Sequence, residues 1–320
     1  MSKIQNALKR IRQSKGESGS KMVQATVAKT EHPKTEHPLS SRSSTDETIA
    51  TLALREETIA ETGEFRTKRV IEVNRAKLRE AGMLAPEMQE RLLADQYRLI
   101  KRPLLDNAVG KNVGLIEDGN LIMVSSALSG DGKTFTCVNL ALSMSSETDV
   151  NVLLVDADVP KPHISRIFDV VNEPGLIDLL IDRSLKVEDV IIPTDVPGLA
   201  ILPAGQRNDQ ATELLASRRM AELSQRLARK YANRAVLFDS PPLLITPESR
   251  VLASHMGQIA MVVCAGRTPV TAVQDAVGCI DETKAINLVL NQSSVSGLTG
   301  AQYGYGYGYG YGYGREQEDS

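Results

Sequence analysis

A chain of 320 residues with a net charge of −3 can hold one large α/β domain plus extensions, and its nearly balanced charge gives no nucleic-acid signature. No apolar run reaches the roughly 18 residues of a membrane span, and the first residues lack the apolar core of a signal peptide, so a soluble protein is expected. Eight of the twelve aromatic residues are tyrosines and six of these fall in the last eighteen positions, a skew that core packing cannot produce.

Residues 1–15 set Ile4, Ala7, Leu8 and Ile11 at helical spacing among Lys3, Lys9, Arg10, Arg12 and Lys15. This short basic amphipathic helix is either a plain terminal helix or a site for an acidic membrane surface or a partner helix. From Gly16 to about Thr45 the chain is rich in Ser, Thr, Lys and Pro and reads as a disordered linker. Its His32 and His37 precede prolines there and are not read as metal ligands. Residues 46–60 look helical up to the interruption near Gly63, and Val70 to Leu78 begin a strand or a helix. Pro86 then opens a helix from Glu87 to about Lys101, with Met88, Leu92, Leu93, Tyr97 and Ile100 along one side. Asp95, Arg98 and Lys101 follow at i, i+3, i+6, a pattern that alone reads as a solvated stripe.

The stretch Leu121 to Leu142 joins an apolar strand to a helical pattern through Ser129-Gly130-Asp131-Gly132-Lys133-Thr134. Glycines let backbone N–H groups curl around an anion at a helix N-terminus, where the macrodipole adds attraction. Lys133 is placed to reach β/γ-phosphates and Thr134 to hold Mg²⁺, which makes this a phosphate loop that begins with Ala127 instead of glycine. The competing reading is a glycine-rich turn that only joins two elements. Residues 129–135, ending at Phe135, are the candidate nucleotide contacts.

Val150 to Asp158 and Arg234 to Pro242 repeat one formula, a continuous apolar strand ending in acids: Asp156 and Asp158 in the first, Asp239 in the second. Continuous hydrophobicity suits strands buried on both faces of a parallel sheet, whose ligands gather at the carboxyl ends. A single such aspartate is often only a helix N-cap, but three converging on a phosphate loop point to Mg²⁺ and phosphoryl transfer or hydrolysis. A short helix and turn over 175–190, a strand at 199–203, a helix from about Thr212 to Ala232, a strand at 258–266, a helix from Val270 to Lys284 and a strand at 285–292 complete the pattern. Asn291, closing the last strand, joins the nucleotide-binding candidates. Five or six strands alternating with helices predict a doubly wound, mostly parallel α/β sheet of the P-loop NTPase kind. Cys137, Cys264 and Cys279 lack metal-ligand spacing and read as free thiols in a reducing cytoplasm.

Residues 303–314 alternate Tyr and Gly. Glycine at every second position favours a flexible tether, with a stacked, silk-like strand as the competing reading. Such a tether can offer Tyr303, Tyr305, Tyr307, Tyr309, Tyr311 and Tyr313 in turn to an active site. Phosphorylating all six would add roughly −9 to −12 charges.

Three motifs in order, ALSGDGKT (127–134), LLVDADVPKP (153–162) and VLFDSPPLL (236–244), resemble the Walker A, A′ and B motifs of the bacterial tyrosine kinases (BY-kinases), in particular the autokinases of exosortase-linked exopolysaccharide loci. The resemblance runs from about Asp95 to Gln292 and implies ATP and Mg²⁺ as cofactors. Lys133 and Thr134 then serve the phosphates and Mg²⁺, Asp156 is a metal-linked base, Asp158 the second A′ acid and Asp239 a metal residue. Asp95, Arg98 and Lys101 resemble the family's Glu-x-x-Arg-x-x-Arg oligomerisation motif with both outer residues changed, which implies a homo-oligomer such as a ring. The family's acid after the Walker B prolines corresponds to Thr246-Pro247-Glu248, and its segment before the long helix to 208–212. The alternative is a MinD/ParA-type positioning ATPase or a nucleotide-dependent scaffold, but those ATPases carry a signature lysine where this chain has Leu128. The implied organisation is a basic helix and linker (1–45), a helical region with the oligomerisation helix (46–105), a kinase domain (106–295) and a Tyr-Gly tail phosphorylated in trans (296–320). A membrane activator of the chain-length-determinant type would hold the kinase at the cytoplasmic face of the membrane.

Overall fold

The computed structural model describes residues 70–109, 116–230 and 234–293. The basic segment 1–15, the linker, the segment 46–60 and the tail tyrosines lie outside the described residues.

Seven strands form one sheet in the order β3-β4-β2-β5-β1-β6-β7. They are β1 (Leu121–Ser126), β2 (Asn151–Asp156), β3 (Ile192–Pro193), β4 (Leu199–Leu202), β5 (Arg234–Asp239), β6 (Gln258–Cys264) and β7 (Ala285–Asn291). All neighbours pair in parallel except β3, which runs antiparallel to β4 at the edge. The strand beyond the predicted five or six includes this β3, two residues long and too short to carry a periodic signal. Every residue of β1 is buried, as its continuous apolar run requires.

Helices cover both faces. On one side pack α1 (Arg75–Glu80), α2 (Glu87–Val109), α3 (Lys133–Ser145) and α4 (His163–Ile167), burying Leu78, Leu104, Leu140 and Ile164 against Ile122 and Val124. On the other lie α5 (Leu176–Ile181), α6 (Val187–Val190), α7 (Ala211–Leu215), α8 (Arg218–Lys230), α9 (Pro247–Ser254) and α10 (Val270–Gly278), whose Leu180, Leu215, Leu227 and Leu252 meet Leu121 and Met123. Neighbouring residues of β1 thus feed opposite cores, following the period of two. Among the described residues no helix is long and apolar enough to cross a membrane.

Several boundaries differ from the sequence reading for local reasons. The stretch from Val70 is both of the alternatives in turn: Ile71 bridges in parallel to Thr194, then Asn74 caps α1 by accepting the Lys77 N–H at 2.9 Å. The long helix predicted over 212–232 breaks, because Ser217 Oγ accepts the N–H of Met220 and starts α8 afresh. Helix α10 ends at Gly278, short of the predicted Lys284. Helix α2 instead runs past the predicted Lys101 and through Pro103 to Val109. The proline removes the N–H that Leu99 would receive, but Leu99 is largely exposed, so water can satisfy that carbonyl. Tertiary bonds hold the extra turns: the buried Gln258 donates to the carbonyls of Leu104 (2.9 Å) and Gly119 (2.6 Å) and accepts from Asn107 (3.0 Å).

Candidate functional site

The carboxyl ends of β1, β2 and β5 lie side by side. Asp156 faces Asp239 in register across the β2–β5 ladder, and Asp239 faces Val124 across β5–β1. The phosphate loop leaves β1 at this level and turns into α3 through Gly130 (φ 85°) and Gly132 (φ 91°), both in the left-handed region that disfavours any residue with a Cβ. At Gly132 the restriction is also steric, since an added Cβ would lie 2.1 Å from Asn291 Nδ2.

The loop is tied down from behind. Asp131 is 1% exposed; its Oδ1 accepts from Thr268 Oγ1 at 2.7 Å and its Oδ2 from the Leu128 N–H at 3.3 Å. Arg267 donates to the Gly130 carbonyl and lies 3.8 Å from Asp131, while Asn291 donates to the Asp131 carbonyl at 2.9 Å. The Gly130 and Asp131 carbonyls are thereby engaged on the protein side, which leaves the N–H groups that follow Leu128 for an anion. Leu128, the position that separates the two families, packs partly buried against the core. Ser129 is exposed, and Phe135 is half-buried in the first turn of α3.

Lys133 and Thr134 begin α3. The Lys133 ammonium lies 3.5 Å from Asp158 Oδ2, with both side chains nearly buried. Asp158 follows β2 by two residues, and its Oδ1 accepts from the Lys161 N–H at 3.2 Å. Asp156 Oδ2 accepts from both the N–H and the hydroxyl of Ser165, each at 2.7 Å, whereas its Oδ1 has no partner. Asp239 is wholly buried and neither oxygen meets a donor in hydrogen-bond geometry, although the Thr134 hydroxyl lies close enough to lower its pKa. Burial raises the Asp156 pKa to about 6 against the two Ser165 bonds that lower it, and the Asp158 charge raises it further. Asp239 is driven up to about 8, first by burial, with the Lys133 charge opposing and the Asp156 charge adding.

Three unpartnered buried carboxylate oxygens beside a phosphate loop fit a hard cation such as Mg²⁺. The described residues contain no cluster of three or more His, Cys, Asp or Glu able to hold a metal alone. That sparse donor set suits Mg²⁺, which keeps waters and shares substrate phosphates instead of filling an all-protein cage.

The site therefore brings together Gly130, Asp131, Gly132, Lys133, Thr134, Asp156, Asp158, Asp239 and Asn291. The two segments that depart from the family pattern also meet, through a 2.7 Å hydrogen bond from Thr212 Oγ1 to Glu248 Oε1. The Asp95–Arg98–Lys101 stripe needs correction. Asp95 and Arg98 are exposed and paired with each other, but Lys101 is 2% exposed; its Nζ donates to the Ser143 carbonyl at 2.6 Å and lies 2.8 Å from Glu147. Six residues at about 100° each turn Lys101 about 120° away from Asp95, onto α3. Sequence reasoning missed Ser165, Arg267 and Thr268. Single hydroxyls and a lone arginine carry no motif, and the partners of Arg267 and Thr268 lie 137 positions away.

A family described as "AAA domain" matches residues 119–265. The tyrosine-protein kinase YwqD of Bacillus subtilis (strain 168) is 28% identical over 195 residues, 61% of this chain and 78% of that protein. The tyrosine-protein kinase wzc of Salmonella typhi is 33% identical over 143 residues, 45% of this chain but 19% of its own length. The chain thus spans only about a fifth of several of the curated relatives it matches. Among solved structures, the VpsO (VC0937) kinase domain is 27% identical with a TM-score of 0.54, covering 65% of this chain and 100% of that one. The described part of the chain is thus similar, in fold and in sequence, to the P-loop domains of bacterial tyrosine kinases.

Proposed function

We propose that the chain transfers the γ-phosphoryl group of ATP to tyrosine hydroxyls of its own C-terminal cluster, Tyr303 to Tyr313, on a neighbouring copy. The observation that carries this reading is the pair Asp156 and Asp239, buried side by side with three unpartnered oxygens at the mouth of the phosphate loop. Thr134 and Asp239 would hold Mg²⁺, with Asp156 linked to it through water so that its Oδ1 stays open to a proton; the ion would offset the phosphate charge. Lys133 exchanges its contact with Asp158 for the β/γ-phosphates. Asp156 accepts the phenol proton on Oδ1, the phenolate oxygen forms a bond to the γ-phosphorus, and the bond to ADP breaks. In the nucleotide-free protein burial raises the Asp156 pKa to about 6, which leaves it a stronger base than an ordinary aspartate and still mostly ionised at pH 7. The loop residues 129–135 and Asn291 form the nucleotide cradle.

By the same resemblance, assembly into an oligomer brings one copy's tail to the next copy's site. A membrane activator of the chain-length-determinant type would place the kinase beside the machinery that makes and exports exopolysaccharide. Incubation of the purified chain with ATP and Mg²⁺, followed by mass spectrometry of the tail, tests the reading. Phosphotyrosine within 303–313 is expected, and its absence from folded, nucleotide-binding protein refutes it. Mixing the Lys133→Ala chain with an active, tail-deleted form tests the geometry: a modified Lys133→Ala tail indicates transfer between copies, and an unmodified one indicates transfer within a copy.

A further inference from the structure

The helical layer opposite the phosphate-loop helix carries an open groove of about 1210 Å³ between α8 and the α5–α6 segment. Arg183, Arg218, Arg219, Arg226, Arg229 and Lys230 line it, together with Glu188 and Glu222. Six cations against two carboxylates leave a local excess of four positive charges. Some are already engaged: Arg218 pairs with Glu222 at 2.9 Å, Lys230 pairs with Glu188, and Arg219 caps α5 through the carbonyls of Ile181 and Asp182. Arg183, Arg226 and Arg229 are exposed and form no ion pair among the described residues. The apolar side of α8, with Met220, Leu223 and Leu227, is fully used against the core, so the basic face has no packing role.

We propose that this groove binds the tyrosine-phosphorylated tail, residues 303–313, and holds the modified segment away from the phosphate loop. The inference rests on the kinase reading above for the origin of the phosphates, but the groove's chemistry stands independently of it. Guanidinium groups bind phosphate through two parallel hydrogen bonds, and five of the six cations are arginines. Along α8, Arg218 and Arg229 are eleven residues apart, about 16 Å at 1.5 Å per residue. Three phosphotyrosines at alternate positions of an extended chain span about 13 Å, so three phosphates fit the length of the basic face. Each carries about −1.5 to −2 charges, enough together to neutralise the groove's excess. Unmodified, the Tyr-Gly repeat has no charge with which to engage it. The tether is long: Gln292 to Tyr303 can span up to about 36 Å, and the later tyrosines reach farther. A lipid surface suits the groove less well, because the cations line a concavity that also holds two glutamates and presents no apolar residue for insertion.

The test uses the full-length Lys133→Ala chain, which isolates docking from catalysis, and two synthetic peptides of residues 300–320. One has phosphotyrosine at 303, 305 and 307, and the other is unmodified. Fluorescence anisotropy is expected to show the phosphopeptide binding at least tenfold tighter, with an affinity that falls as salt rises. Adding Arg226→Glu and Arg229→Glu should weaken it at least tenfold while leaving the thermal melt in place, and milder Arg226→Gln and Arg229→Gln changes should give the same direction. Equal binding of both peptides, or an unchanged affinity in a folded double variant, overturns the proposal. Anionic phosphatidylserine vesicles are expected not to compete; vesicle binding that disappears in the double variant while peptide binding persists would assign the groove to a membrane. Because the phosphates are supplied synthetically, failure here is distinct from failure of the kinase reading, which the tail map from active protein decides.

Discussion

Replacing Asp239 by asparagine should make the nucleotide-free protein more stable while removing its response to Mg²⁺ and ATP. Asp239 is 0% exposed, without a hydrogen-bond partner, and its pKa is raised from 3.8 to about 8. At pH 7, holding such a carboxyl neutral costs about 4 kcal/mol relative to water, since each tenfold change in acidity is about 1.4 kcal/mol. That figure is an upper bound on the relief, because asparagine still buries an unpartnered amide, so a net gain of about 1–2 kcal/mol is expected. For a domain of this size the melting temperature then rises by roughly 2–8 °C. The pH dependence has a definite sign. A carboxyl whose folded pKa is raised supports the fold below the ordinary value of 3.8, and that support is lost as pH rises toward about 8. Nucleotide-free wild type should therefore lose stability between about pH 4 and 8, with Asp156 contributing in the same direction up to about 6. Asp239→Asn should flatten the curve. Scanning fluorimetry from pH 5 to 8, with and without Mg²⁺ and ADP, reads both effects. A lower melting temperature for Asp239→Asn across this range, or an undiminished shift with ligand, would refute the reasoning.

Gly132→Ala forces a left-handed φ on a residue with a Cβ, at a cost of about 1–2 kcal/mol, and sets that Cβ against Asn291. Titration with a fluorescent nucleotide should show at least tenfold weaker binding, while circular dichroism stays that of a folded protein. Lys101→Met removes a buried ammonium from the Ser143 carbonyl and Glu147 and should cost about 1–3 kcal/mol of stability. Calorimetry should find the lower melting temperature at high dilution as well, because the contact lies within one chain. A variant that melts unchanged but sediments differently would return Lys101 to a contact between copies.

The parts of the site that lie on continuous apolar strands were legible in the sequence. Leu121–Val124, Val152–Val155 and Ala235–Phe238 each need burial on two faces, and a parallel sheet then delivers the following acids to one edge. What escaped was whatever depends on how separate elements land on one another. The bond between Asp131 and Thr268 joins positions 137 apart, and that between Asp156 and Ser165 depends on where α4 lands. Lys101 misled for another reason: a charge pattern at i, i+3, i+6 looks linear in sequence but winds around a helix, and α2 packs its far side onto α3. The break before α8 and the passage of α2 through Pro103 likewise followed a serine hydroxyl and a buried glutamine 154 positions from Leu104, polar bonds that hydrophobic periodicity does not register.

The pairing of Asp156 with Ser165 also fixes where a proton can reside. The serine N–H and O–H both point at Oδ2, and the same hydroxyl oxygen accepts the Ala204 N–H at 3.0 Å, which locks its orientation. Oδ2 is thus saturated as an acceptor, so a proton taken up by Asp156 must lie on Oδ1. The two oxygens of one carboxylate are chemically distinct here, and a single hydroxyl outside every motif distinguishes them. Ser165→Ala would erase that distinction by opening a second, misdirected protonation position while every residue of the phosphate loop stayed in place.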